Sequence, residues 1–174
     1  MNTEILGITV MFTLSILLAI PFGKYIARVY AGEKTWFDTL FNPIERIFYK
    51  ISGIDPGSEM NWKQHMIAMI TINMIWFVLG MLILMTQGNL PFNPDQNPSM
   101  SADLAFNTVI SFVVNCNLQH YSGESGLSYL GQYWLMFLQF VSAGTGMAAA
   151  VVVFRAFRDR SADTLGNFYT YFIK

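Results

Sequence analysis

ADLAFNTVISFVVNCNLQHYSGE, residues Ala102 to Glu124, holds the most informative pattern in the chain. Its first part, Ala102 to Val113, is apolar and suits a helix. Ser99 and Ser101 offer helix caps at its start, and Asp103 is well placed to complement the positive N-terminus of the helix. Such a helix rises only about 18 Å, which is too short to cross a bilayer. A short apolar helix followed by polar chain predicts a segment that enters the membrane and returns on the same side.

Three longer apolar stretches surround this segment. They run from Ile5 to Ala27, from Met66 to Thr86 and from Tyr133 to Phe154, and each has the length of about 20 residues that a transmembrane helix needs. The chain is 53% hydrophobic and only 12% charged, whereas soluble domains are about 25% charged. We therefore predict an all-α membrane protein with three transmembrane helices plus a re-entrant pore helix and filter loop.

The positions of the basic residues predict the orientation. Cytoplasmic loops of membrane proteins carry an excess of Lys and Arg. The N-terminal tail and the stretch from Gln87 to Trp134 contain none, so both are predicted to be extracytoplasmic, with the C-terminus cytoplasmic. A net charge of −1 also excludes a basic nucleic-acid-binding surface. The ten basic residues are Lys24 near the inner end of the first span, Arg28, Lys34, Arg46, Lys50 and Lys63 after it, and Arg155, Arg158, Arg160 and Lys174 after the third span.

The connector between the first two spans has its own pattern. From Thr35 to Ile54, large apolar residues alternate with charged ones at helical spacing. Such a helix is predicted to lie flat at the inner membrane interface. A docking helix for a partner subunit is the alternative.

The polar chain after the short helix is the candidate site. Potassium gives up its water where backbone carbonyl oxygens replace the hydration shell, and the negative end of the preceding helix would attract the cation. Asn115, Asn117 and Gln119 can brace such carbonyls, and no Lys or Arg is near them in sequence. The residues by themselves leave two interpretations open, an ion path and a structural helix cap. His65 and His120, the two histidines of the chain, are predicted on opposite sides of the membrane and so share no metal site.

Three motifs together resemble one family. They are MNWKQH from Met60 to His65, NTVISFVVNCNLQHYSGE from Asn107 to Glu124, and TLGNF from Thr164 to Phe168. This order of motifs, with the basic cluster after the third span, resembles the N-terminal part of the KdpA family, the potassium-binding, channel-like subunits of bacterial potassium-transporting ATPases.

The resemblance implies a fold of four span–pore–span repeats around one pore, preceded by an extra N-terminal helix. Each repeat supplies a quarter of the filter, here Val114, Asn115, Cys116 and Asn117, with Gln119, Gly123 and Glu124 as filter support. Cys116 stands where threonine is commoner in the family. Potassium is the transported ligand, and no cofactor or other metal is implied.

The implied organisation divides the chain into four parts. Residues 1–30 form the N-terminal transmembrane helix, 31–63 the amphipathic connector, 64–157 the span–pore helix–filter–span repeat, and 158–174 a cytoplasmic tail. The family continues beyond such a tail, so we expect it to be truncated.

The resemblance also implies a function and partners. The chain is expected to be non-catalytic, to reside in the bacterial inner membrane, and to act with KdpB, which hydrolyses ATP, and with KdpC and KdpF. Two alternatives remain, namely a small self-contained oligomeric potassium channel and a non-conducting membrane scaffold.

Overall fold

The computed structural model describes residues 3–159 and 162–174, so Arg160 of the basic cluster lies outside the described residues. Within those ranges the regular structure is helical, without strands. The helices are α1 (Thr3–Ala31), α2 (Asp38–Ser52), α3 (Trp62–Thr86), α4 (Ala102–Val113), α5 (Gly123–Gly126), α6 (Tyr129–Asp159) and α7 (Phe168–Ile173), with a 3-10 turn at Gln87–Asn89 after α3.

The predicted fold class is confirmed. Helices α1, α3 and α6 are each long and apolar enough to cross a membrane. Most of their ends lie beyond the predicted apolar stretches, because a helix continues into the polar residues at the membrane surface, whereas α3 ends at the predicted Thr86. The short helix α4 begins and ends at the predicted residues.

Residues Pro56–Phe172 form one compact unit, here called the larger unit. In it α4 packs against both α3 and α6. Leu84 of α3, Val109 of α4 and Leu138 of α6 are almost fully buried where these helices meet. The short helix is therefore held between two spans, and its C-terminal end carries the candidate site.

A glycine brings α3 and α4 close together. A Cβ added at Gly80 would lie 2.8 Å from Cγ1 of Val109 and 3.0 Å from Nε1 of Trp134. Small residues allow such close backbone approach between membrane helices. The absence of a side chain at Gly80 thus helps to seat α4.

The start of α3 explains part of the MNWKQH motif. The Gln64 backbone N–H donates to Oδ1 of Asn61 at 3.0 Å, and the Asn61 N–H donates to Oε1 of Gln64 at 2.8 Å. This reciprocal pair is a capping box, which satisfies two N–H groups that the helix itself cannot.

The start of α4 corrects a prediction. Ser101 occupies the N-cap position, but its side chain makes no cap hydrogen bond. The hydroxyl of Ser99 accepts from the Gly88 N–H instead, at 3.2 Å. Asp103 lies in the first turn of α4, where a carboxylate complements the positive end of the helix. Hydrogen bonds from the Ser101 hydroxyl and nearby backbone N–H groups lower the pKa of Asp103 and favour its charged form.

The smaller unit contains α1, α2 and the last two residues. No residue of α1 is buried, and the helix continues without a break through Pro21. All large apolar side chains of α2 are exposed as well.

Candidate functional site

The chain turns sharply where α4 ends. The Cys116 N–H donates to the Ser111 carbonyl at 2.9 Å, and the Asn115 N–H donates to the Phe112 carbonyl at 3.2 Å. These two bonds form a Schellman motif, a common helix ending that requires one residue in the left-handed conformation. The Asn117 N–H also donates to the Ser111 carbonyl, at 3.1 Å. This one carbonyl therefore accepts hydrogen bonds from two backbone N–H groups of the turn.

The two asparagines of the turn share an unusual backbone conformation. Asn115 has φ of 58° and Asn117 has φ of 54°. Asparagine tolerates this region better than other non-glycine residues. The sequence analysis gave these asparagines a bracing role and missed their role in ending α4 through a left-handed backbone conformation. An Asn directly after the last apolar residue of a helix is a known stop signal.

The backbone of Val114, Asn115, Cys116 and Asn117 uses its donors and its acceptors differently. All four N–H groups donate to carbonyls within residues 110–112 of α4. In the described part of the chain, none of the four carbonyl oxygens accepts a backbone hydrogen bond. The turn thus presents a run of carbonyl oxygens without competing N–H groups, which is an arrangement that favours a cation.

The side chains of the predicted filter residues are exposed. Nε2 of Gln139, on α6, donates to Oδ1 of Asn115 at 3.2 Å. Among the described residues, neither Asn115 nor Asn117 donates a side-chain hydrogen bond to a carbonyl of the turn, so the predicted bracing stays a prediction.

The predicted support residues Gln119, Gly123 and Glu124 come together. All three line one open pocket of about 610 Å³ beside the turn, along with Tyr121 and Gln132. Nε2 of Gln119 donates to the Tyr121 hydroxyl at 3.4 Å. Burial raises the pKa of Tyr121, and the hydrogen bond from Gln119 offsets this in part. The phenol therefore stays neutral near pH 7, and Glu124 gives the pocket a carboxylate.

Gln87 holds the segment after the pocket, and sequence reasoning missed it. Its side chain is fully buried. Nε2 donates to the carbonyls of Pro98, at 2.7 Å, and Gly126, at 2.9 Å, while Oε1 accepts from the Ser128 N–H at 3.0 Å. One side chain thus joins the end of α3, the proline-rich loop and the chain that enters α6. Since no local pattern marks such a residue, only the tertiary structure identifies it.

The usual ligands of protein metal sites are His, Cys, Asp and Glu side chains. Across residues 3–159 and 162–174, no three His, Cys, Asp or Glu side chains come together as a possible ligand set.

Two of the sequence motifs meet at the other end of the larger unit. The Met60 N–H donates to the Gly166 carbonyl at 2.7 Å, and the Leu165 N–H donates to the Met60 carbonyl at 2.9 Å. His65 is buried there, with its ring stacked on Tyr171 at 6.4 Å between centroids. MNWKQH and TLGNF are thus two halves of one junction between the ends of α3 and α6.

Gly166 is required at this junction. It has φ of 84°, and a Cβ there would collide with the Tyr171 hydroxyl and the Arg155 guanidinium. That guanidinium donates to the Tyr171 hydroxyl, which donates to the Leu165 carbonyl at 3.1 Å. The segment from Leu165 to Phe168, predicted as part of the tail, is buried.

The sequence matches a known family over most of its length. Residues 9–174 match the model of the KdpA family, described as potassium-transporting ATPase A subunit. A protein from Flavobacterium johnsoniae is 65% identical over 174 residues, one from Bacteroides fragilis is 55% identical over 174 residues, and one from Pseudomonas syringae pv. tomato is 48% identical over 148 residues. Each is named potassium-transporting ATPase potassium-binding subunit.

The matches differ in how much of each protein they cover. They include 100%, 99% and 84% of this chain, but 30%, 30% and 26% of the respective relatives. The chain therefore spans about a third of the length of the curated relatives that it matches, and its candidate site lies inside the matched region.

Proposed function

Because this chain belongs to the KdpA family of potassium-transporting ATPase A subunits, we propose that it binds potassium as part of the potassium-binding subunit of an ATP-driven uptake complex. Val114, Asn115, Cys116 and Asn117 form one quarter of the selectivity filter, and their backbone oxygens contact the ion.

One observation carries the proposal. The four N–H groups of this turn are bonded back to α4, while its four carbonyl oxygens accept no backbone hydrogen bond from the described chain. A filter needs carbonyl oxygens that replace the water around the ion. The C-terminal end of α4 adds a partial negative charge. A pure helix cap would need the bonded N–H groups but not the free oxygens.

The surroundings of the turn support the same conclusion. No Lys or Arg lies between Gln87 and Trp134, so no fixed cation competes with potassium. Gln119, Gly123 and Glu124 line the adjoining pocket, which serves as the approach to the filter. By the positive-inside rule this approach is extracytoplasmic, as is the N-terminus, and the C-terminus is cytoplasmic in the bacterial inner membrane.

The chain supplies the ion path and no ATP chemistry. Its sequence has no phosphate-binding glycine loop of the GxxxxGK[ST] type. ATP hydrolysis belongs to a partner P-type ATPase subunit, KdpB, and KdpC and KdpF complete the complex.

The test places a fixed charge at the filter. The segment Asn107 to Glu124 of this chain would replace the matching segment in the full-length Flavobacterium johnsoniae relative, and potassium binding would be measured by isothermal titration calorimetry. We expect Asn117→Lys to abolish binding, because its ammonium group competes with the ion. Asn117→Gln is the matched control. Like Lys, Gln has a long side chain and is disfavoured in the left-handed conformation at φ of 54°, but it carries no charge. Equal affinities in the two variants would refute the filter assignment.

A second measurement separates this proposal from the small-channel alternative. One repeat encloses no pore, so the purified 174-residue chain should give no potassium flux in liposomes. Flux from the chain alone would favour a self-contained oligomeric channel.

The orientation has its own test. With Cys116→Ser as background, a cysteine at Asn93 should react with an impermeant thiol reagent added outside, and a cysteine at Asp163 should not. The opposite labelling would reverse the orientation and move the filter to the cytoplasmic side.

A further inference from the structure

Helix α2 has an apolar face that the described structure leaves uncovered. Its large apolar residues recur at helical spacing on one face, and all are between 46% and 78% exposed. They are Leu40, Phe41, Ile44, Ile47, Phe48 and Ile51. Soluble proteins seldom leave a continuous apolar stripe of this kind open to water.

The polar face of α2 shows the opposite exposure. Asp38, Glu45 and Tyr49 fall on one side at helical spacing, and all three are half-buried. In a protein surrounded by water the apolar face would be the covered one. The uncovered stripe therefore indicates an apolar environment outside the protein.

The corner between α1 and α2 fixes the level along α1 at which α2 starts. Gly32, with φ of 75°, ends α1, and the Thr35 N–H donates to Oδ2 of Asp38 at 2.9 Å at the start of α2. The ring of Phe37 then packs edge-on against Tyr25 of α1, with 5.9 Å between centroids. Since Tyr25 lies six residues before the end of α1 at Ala31, α2 starts beside α1, about 9 Å back from its end.

The charge pattern of α1 indicates that the membrane surface lies at this position. Between Glu4 and Lys24 α1 carries no charged residue, and Lys24 immediately precedes Tyr25. The headgroup region thus begins at the level of Tyr25, where α2 also starts. Trp36, 94% exposed, lies next to Phe37, and Trp is enriched at membrane interfaces.

From these observations we propose that α2 is an interfacial helix whose apolar stripe is buried in the lipid of the same leaflet. Asp38 and Glu45 balance Arg46 and Lys50 on α2, so the helix is held by its apolar face and not by attraction to anionic lipid. The proposal does not depend on the potassium site, because it rests on the smaller unit alone.

The test uses spin labels on neighbouring residues of the full chain in phosphatidylcholine vesicles, with Cys116→Ser as background. Labels at Ile47→Cys and Phe41→Cys report the apolar stripe, and labels at Arg46→Cys and Asn42→Cys are their matched controls on the polar side. Collision rates with oxygen, which concentrates in lipid, are compared with those of a water-soluble nickel chelate.

We expect the stripe positions to favour oxygen over the chelate several-fold more than the controls do. Adding anionic lipid should not change this ratio. Stripe labels shielded from both reagents would mean that a protein partner or a second copy covers α2, and would overturn the proposal. Stripe labels as open to the chelate as the controls would overturn it as well, because α2 would then lie in water.

Discussion

Oε1 of Gln87 accepts a hydrogen bond at 3.0 Å from the N–H of Ser128, a residue 41 positions further along the chain. The two residues lie at the end of α3 and just before α6, on either side of the loop that contains α4 and the turn after it. Both are almost fully buried. This bond, with those to Pro98 and Gly126, closes the loop in which the proposed site is held.

Replacement of Gln87 should loosen this closure. Gln87→Leu keeps the bulk but leaves the buried Ser128 N–H without its partner, which costs about 1–3 kcal/mol by itself. Gln132→Leu is the control, because Gln132 is exposed and makes one bond, at 3.3 Å. The free energy of unfolding in detergent should fall clearly for the first variant and little for the second. A similar loss in both variants would mean that the Gln87 hydrogen bonds contribute no more to stability than the single bond of Gln132.

Asn115 offers a way to separate backbone conformation from side-chain chemistry. Its φ of 58° disfavours alanine by about 1–2 kcal/mol but costs glycine nothing sterically. We expect Asn115→Ala to lower the free energy of unfolding by about 1 kcal/mol and Asn115→Gly to change it by a few tenths. If glycine proved as harmful as alanine, the amide and its contact with Gln139 would be what matters.

Gly80 should tolerate no side chain. In Gly80→Ala the new methyl group would press on Val109 and Trp134, and overpacking of this kind costs about 1–3 kcal/mol. Gly146→Ala is the matched change in α6, where nothing lies within 4 Å of the added carbon, and should be neutral or slightly stabilising. Thermal unfolding of the two variants in one detergent would compare them. Equal melting temperatures would show that α4 can shift to make room.

Asp103 predicts a pH dependence of stability. Hydrogen bonds from the Ser101 hydroxyl and nearby backbone N–H groups lower its pKa in the folded chain. The carboxylate therefore adds stability above the unfolded pKa of about 4, and this contribution is lost as the pH falls through the folded pKa. Asp103→Asn should lose less stability between about pH 5 and pH 2 than the unmodified chain. The control is Asp95→Asn, an exposed change outside the helix, which should lose as much stability on acidification as the unmodified chain. Identical profiles of stability against pH for all three proteins would exclude a role for Asp103.

Much of the fold could be predicted because its signals are local. The lengths of the apolar stretches predicted α1, α3 and α6, and the limits of α4 were predicted at Ala102 and Val113. In a membrane each helix satisfies its own backbone hydrogen bonds, so length and hydropathy nearly suffice to place it. The position of the candidate site after α4 followed in the same way.

The details of the site depended on the tertiary structure. The partners of Gln87 lie up to 41 residues away, and Met60 bonds to Leu165 and Gly166 across more than a hundred residues. No periodicity in the chain encodes such contacts, because a buried amide or a glycine at a junction looks in sequence like any other polar or small residue. The sequence thus predicted the three membrane-length helices and the position of the candidate site after α4, whereas the packing of α4 between α3 and α6 establishes which side chains surround that site.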